Sequence, residues 1–136
     1  MRLLACDYGT KTIGLAYGTL DDNKNPAVIP LSSISVSSWE GASAKIIITA
    51  KQYKVDTILF GNPLNKENQE TTTSLEVKKF VRFLTNRLNI PIKLVNERYT
   101  TYDAQEYSLG KGASNSIHSQ AAALMLLRYL EENPLL

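Results

Sequence analysis

Few side chains in this sequence are equipped for chemistry, and they stand far apart. Asp7 closes the apolar run RLLACD, Glu97 closes IKLVNE, and the single histidine, His118, lies in NSIHSQAA at the start of the last helical pattern. A carboxylate ending a buried strand is costly unless something positive meets it, because ionised acids resist burial. One reading pairs each acid with a nearby base, Asp7 with Lys11 and Glu97 with Arg98. The other brings Asp7 and Glu97 together on a divalent cation, for which hard oxygen ligands suit Mg²⁺ or Mn²⁺.

His118 is unremarkable by itself, since a lone histidine is usually an ordinary one. Its setting is more suggestive. Asn115 or Ser116 can cap the helix, which leaves His118 in the first turn. There the positive end of the helix dipole disfavours imidazolium, and neutral imidazole is the form that binds metal. Ala121 and Ala122, one turn on, allow close approach of helix to sheet and would carry His118 toward the two acids.

Around these stand groups suited to phosphate. Lys11, Arg98 and Lys111 could hold flanking phosphates, since Arg and Lys dominate such contacts. Arg98 could equally pair with an acid, and Lys111 could be a solvated loop lysine. Thr100 and Thr101 serve first to cap a helix, with a place in the site second. Cys6 neighbours Asp7, but strand alternation turns it to the other face, as a small buried hydrophobe. DYGTKTIG, with Gly9 in its turn, resembles the phosphate-binding turn of sugar kinases and actin-like ATPases. Those enzymes close two domains on ATP, and this chain has the length of one.

The elements that must position these groups are legible from pattern. Residues 2–7 and 13–19 read as strands joined by the turn YGTK, and residues 27–36 as an edge strand, because Pro30 cannot donate to a central ladder. In the second strand Gly14, Ala16 and Gly18 share one face, which implies close approach of another backbone or helix. Ser37-x-x-Glu40 predicts a helix over 38–53, and Thr73-x-x-Glu76 a second with Val77, Phe80, Val81, Leu84 and Leu88 on one face. Strands at 56–60 and 92–97, a short helix from Thr100 to near Gly110 and a last helix over 117–132 complete the chain.

The order β-β-β-α-β-α-β-α-α predicts an antiparallel meander extended by parallel strands into one mixed sheet, with helices on both faces. Trp39, Phe80 and Phe83 read as core or partly covered surface rather than base-stacking platforms, Asp21 and Asp22 as residues of a hairpin-like loop, and Glu67 and Glu70 as solvated.

Composition sets the bounds. The 136 residues suit one domain, 1–136, and 43% hydrophobic with 21% charged residues describe a globular protein. The absence of a long apolar run and of a signal peptide predicts a cytoplasmic protein with no membrane partner. One cysteine excludes an internal disulfide and a cysteine-based zinc cluster. A net charge of +2 permits a nucleic-acid partner without arguing for one.

CDYGTKTIGLA (6–16), GNPLN (61–65), NERYTT (96–101) and the alanine-rich last helix resemble, in order and across essentially the whole chain, the YqgF family, also called RuvX. The resemblance implies an RNase H-like fold on a five-stranded mixed sheet. It also implies a metal-dependent nuclease that processes the 5′ end of pre-16S ribosomal RNA. The older alternative is a Holliday junction resolvase acting on branched DNA, for which a weak homodimer is allowed. Asp7, Gly9, Lys11, Glu97 and Arg98 fall on the family's pattern, whereas Thr12 replaces an arginine, Asn62 a leucine and Asn96 an aspartate. His118 stands where the family has its third acid. The implied set is therefore Asp7, Glu97 and His118 around Mg²⁺ or Mn²⁺, with two cations about 3.5–4 Å apart clamping the scissile phosphate. Loss of the third carboxylate leaves open a nucleic-acid-binding protein impaired in catalysis.

Overall fold

The computed structural model describes residues 1–96 and 117–133. Strand β1 (Arg2–Asp7) runs down the centre of a five-stranded sheet in the order β3-β2-β1-β4-β5. Strands β2 (Thr12–Leu20) and β3 (Pro26–Ser35) continue it as an antiparallel meander, and β4 (Thr57–Asn62) and β5 (Ile92–Asn96) add in parallel on the other side. The crossover into β4 runs through helix α1 (Trp39–Gln52), and that into β5 through α2 (Thr72–Thr85). The last helix, α3 (Ile117–Glu132), lies on the opposite face. The predicted mixed sheet is the one observed, and β3 with Pro30 is indeed its edge. The predicted helix between Thr100 and Gly110 lies outside the described residues.

Alternation along β1 divides the core. Leu4 and Cys6 point toward α1 and α2, joining Ile13, Leu15, Ile46, Phe60, Val77, Phe80 and Leu84. Leu3 and Ala5 point toward α3, where they meet Ala122, Ala123, Met125 and Leu126. The same alternation turns Asp7 to the α3 side. Trp39 packs edge-on against Phe80 at 5.5 Å and tilts against Phe83 at 5.6 Å; Phe80 is core, and Trp39 and Phe83 are partly covered.

Both helix starts fall elsewhere than the patterns predict. Ser38, not Ser37, caps α1 by accepting the Gly41 N–H at 3.0 Å. Thr71 and Ser74 form the capping box of α2 in place of Thr73 and Glu76. Runs of Ser and Thr offer several equivalent oxygens, and the backbone turn selects among them. Asp21 accepts the N–H groups of Asn23 and Asn25 in the β2–β3 turn, a structural duty whose Asn25 bond holds its carboxyl below the usual range.

Candidate active site

The small face of β2 explains how the site is assembled. A Cβ on Gly14 would lie 2.1 Å from the carbonyl carbon of His118 and 2.4 Å from the Ser119 nitrogen. A Cβ on Gly18 would lie 2.6 Å from a Leu126 methyl. Helix α3 therefore rests directly on the backbone of β2, which any side chain at Gly14 would prevent. Gly14 is also the cross-strand partner of Asp7. The contact that seats the first turn of α3 thus stands beside the acid that ends the central strand.

A second contact fixes that seat. Between the pairs Ile13–Ile34 and Leu15–Leu31 the register of β2 against β3 shifts, the signature of a bulge. The Leu15 N–H at this place donates to Ser119 Oγ at 3.1 Å, a buried bond spanning 104 positions of sequence. Ser119 was not singled out from sequence. Its signal is a polar residue on the same helical stripe as Ala122, Leu126 and Leu130, all buried.

With α3 so placed, His118 Nδ1 lies 3.0 Å from Asp7 Oδ2. The Asp7 side chain is 11% exposed, whereas that of His118 is 42% exposed. An ionised carboxylate only accepts, so Nδ1 carries the proton and Nε2 is left for an incoming group. The charge on Asp7 is met by this N–H and by the positive end of the α3 dipole. Its partner is accordingly His118, not Lys11, which is exposed in the β1–β2 turn. The Lys11 carbonyl accepts from Val36 and ties that turn to the end of β3. Gly9 closes the turn tightly: a Cβ there would lie 2.5 Å from the Thr12 carbonyl oxygen and 3.6 Å from His118 Cε1.

The residues behind the turn are built for rigidity. Tyr8 packs its ring 5.3 Å from Phe80, and burial pushes its phenol up, with Trp39 and Glu76 as its polar neighbours. Cys6 is fully buried, and burial followed by the nearby Asp7 charge raises its thiol far above the usual range. It is the small buried hydrophobe expected. Asn62, at the end of β4, keeps its Oδ1 buried without a hydrogen-bond partner among the described residues, and Asn96 donates to Asn68 at 3.1 Å. Glu97, Arg98, Thr100, Thr101 and Lys111 lie outside the described residues.

The donors present fit a divalent cation in kind. With Nδ1–H committed to Asp7 Oδ2, the atoms that could hold a cation are the other Asp7 carboxylate oxygen and His118 Nε2. A mixed oxygen and nitrogen pair suits Mn²⁺ better than Mg²⁺, which favours oxygen. Among the described residues no three His, Cys, Asp or Glu side chains gather, so a full ligand set requires a further group.

The five-stranded mixed sheet in the order β3-β2-β1-β4-β5, with the last helix across one face, is an RNase H-like fold. Solved structures of the same architecture include Thermus thermophilus RuvC, with a TM-score of 0.65 at 10% identity over 98% of both chains. A fowlpox virus resolvase in complex with substrate Holliday junction DNA gives 0.60 at 16% identity, over 97% of this chain and 98% of that one. At such identities the likeness is one of fold. A family model described as "RuvX: Holliday junction resolvase" matches residues 1–132. Relatives from Pseudomonas fluorescens strain Pf-5 and Pseudomonas putida strain KT2440, both named "Putative pre-16S rRNA nuclease", are 33% and 32% identical. Each alignment covers 96% of this chain, with 92% and 95% of the respective relative. The chain belongs to the RuvX family of nucleases. Among the described residues no helix is long and apolar enough to cross a membrane.

Proposed function

We propose that the chain is a divalent-metal-dependent nuclease that cuts precursor 16S ribosomal RNA at its 5′ end. Asp7, Glu97 and His118 are the residues that would hold Mg²⁺ or Mn²⁺. The single observation that carries this is the Asp7–His118 contact at 3.0 Å, which brings an imidazole beside the strand-ending acid. Glu97 joins on sequence grounds, as the residue that directly follows β5. When bound, the cation supplies Lewis acidity toward the scissile phosphate.

The chain's own groups do the rest. Asp7 holds the imidazole by Nδ1–H and so fixes which ring atom faces substrate. Nε2 is then the atom that would hold a cation or accept a proton. Gly9 lets the β1–β2 turn close tightly on the Thr12 carbonyl, and Lys11 at its tip would offer positive charge to a phosphate. Arg98, Lys111, Thr100 and Thr101 are assigned to the flanking phosphates.

Cleavage of branched DNA is the second reading, favoured by the description of the matching family model. It requires two sites acting together and hence a second copy of the chain. Incubation with a pre-16S 5′ fragment and with a four-way DNA junction, each in Mg²⁺ and in Mn²⁺, separates the two. Metal-dependent cutting of the RNA alone is expected. Cutting confined to the junction would replace the RNA reading, and binding without cutting of either would make the chain a binding protein.

A further inference from the structure

We propose that the outer faces of α1 and α2 form a second nucleic-acid surface, gripping the phosphate backbone of a structured RNA away from the Asp7–His118 site. It rests on the RNA-nuclease reading for the identity of the bound polymer, and the charge pattern itself is independent of it.

The net charge of +2 conceals an uneven distribution. Opposite the buried stripe Ala42, Ile46 and Ala50, helix α1 exposes Lys45 and Lys51. Opposite Val77, Phe80 and Leu84, helix α2 exposes Lys79 and Arg82. No acid stands three or four residues from Lys45, Lys51 or Arg82, so the helices withhold the partners that usually neutralise such cations. Among the described residues none of these cations, nor Lys79, forms an ion pair. The acids of this layer are otherwise engaged or at its end. Glu70 pairs with Lys78, Glu76 lies against Tyr8, and Glu40 sits in the first turn of α1.

At the other end of the layer Arg87 is held flat. Its guanidinium carbon lies 3.4 Å from the centre of the Phe83 ring, and Nη1 donates to the Phe83 carbonyl at 3.0 Å. Beside it a groove of about 250 Å³ has Ile47, Leu88 and Ile90 on its walls and Lys51 and Arg87 at its rim. Uncompensated cations on rigid helices are the chemistry that meets phosphate, by displacing condensed counterions. The site itself lies on the α3 side of the sheet, so only an RNA with stems large enough to pass around the domain reaches both surfaces. A short single strand reaches one.

The test uses the full chain with Lys45→Glu, Lys79→Glu and Arg82→Glu combined, all at exposed positions. A control, Arg2→Glu with Lys24→Glu and Lys93→Glu, makes the same change in net charge elsewhere on the surface. Circular dichroism checks that both fold. The probes are a labelled pre-16S 5′ fragment containing its stem and a short single strand from the cut site, followed by fluorescence anisotropy across a KCl series. The α1/α2 variant is expected to bind the stem fragment about tenfold more weakly, with a salt slope shallower by about 2–3. Its binding of the short strand stays at the wild-type level, and the control keeps most of its affinity for both probes. Wild-type affinity and slope in the α1/α2 variant would overturn the proposal and leave this face, with exposed Ile48 and Leu75, to a protein partner. An equal loss in the control would overturn it too, by making net charge the cause. A wild-type chain that shows the expected binding but cuts no RNA with any divalent cation would sink the nuclease reading and leave the surface standing.

Discussion

Asp7 and His118, 111 positions apart in sequence, meet at 3.0 Å because Gly14 lies between their elements. Gly14 pairs with Asp7 across the sheet and carries the His118 backbone on its bare Cα. The geometry of the site is therefore written partly in a residue with no functional group.

Replacing Gly14 by Ala should show this directly. The added carbon would collide with the backbone of His118, which cannot swing aside as a side chain would. Overpacking of this sort costs about 1–3 kcal/mol. Urea denaturation is expected to record that loss, together with a fall in nuclease activity. Unchanged stability would mean that α3 does not rest on β2.

Ser119→Ala tests the second fixing point. It leaves the buried Leu15 N–H without its acceptor, a loss of about 1–3 kcal/mol. Hydrogen exchange at the Leu15 amide should accelerate beyond what the global loss of stability explains. Protection that falls only in step with global stability would remove the assigned role.

The legible part of the fold follows from local physics. Gly14, Ala16 and Gly18 on one face could only mean close approach, and Pro30 could only sit at an edge. Asp7 stood out because a charge at the end of an apolar run needs an explanation. What the sequence did not reveal depended on tertiary choices. The caps of α1 and α2 moved by a residue or two because neighbouring hydroxyls are chemically equal. Ser119 acquires its role from a bulge between two other strands, which no local pattern signals. Lys11 was a reasonable partner for Asp7 by proximity in sequence, and His118 took that place by proximity in space.

His118→Asp should alter metal preference. An oxygen ligand in place of nitrogen, with one more negative charge, favours the harder ion. Cleavage supported by Mg²⁺ is expected to rise relative to that supported by Mn²⁺. His118→Ala should weaken Mn²⁺ affinity about 10–100-fold, measured by calorimetry. Equal Mn²⁺ affinity in wild type and His118→Ala would exclude the imidazole as a ligand.

The Cys6 thiol is raised in the folded chain, by burial and then by the Asp7 charge. In the unfolded chain it titrates near its ordinary value of about 8.5. Below that pH both states are protonated and no stability is lost. Above it the unfolded state ionises while the folded state cannot, so stability should fall, by up to about 1.4 kcal/mol per pH unit. Urea midpoints between pH 8.5 and 10, about the window between the ordinary thiol and phenol values, should decline in the wild type and less so in Cys6→Ala. Equal slopes would contradict the burial assigned to this thiol. Iodoacetamide should likewise label Cys6 only after unfolding.

The most direct test of the site is the cleavage of a pre-16S 5′ fragment by Asp7→Asn across a Mn²⁺ titration, beside the wild type. The substitution keeps the shape of the side chain and removes its charge. Loss of cleavage by at least about 100-fold, with weakened Mn²⁺ binding, is the expected result for a residue that holds the cation. Wild-type cleavage by Asp7→Asn at every Mn²⁺ concentration would contradict the site, whatever substrate the wild type cuts.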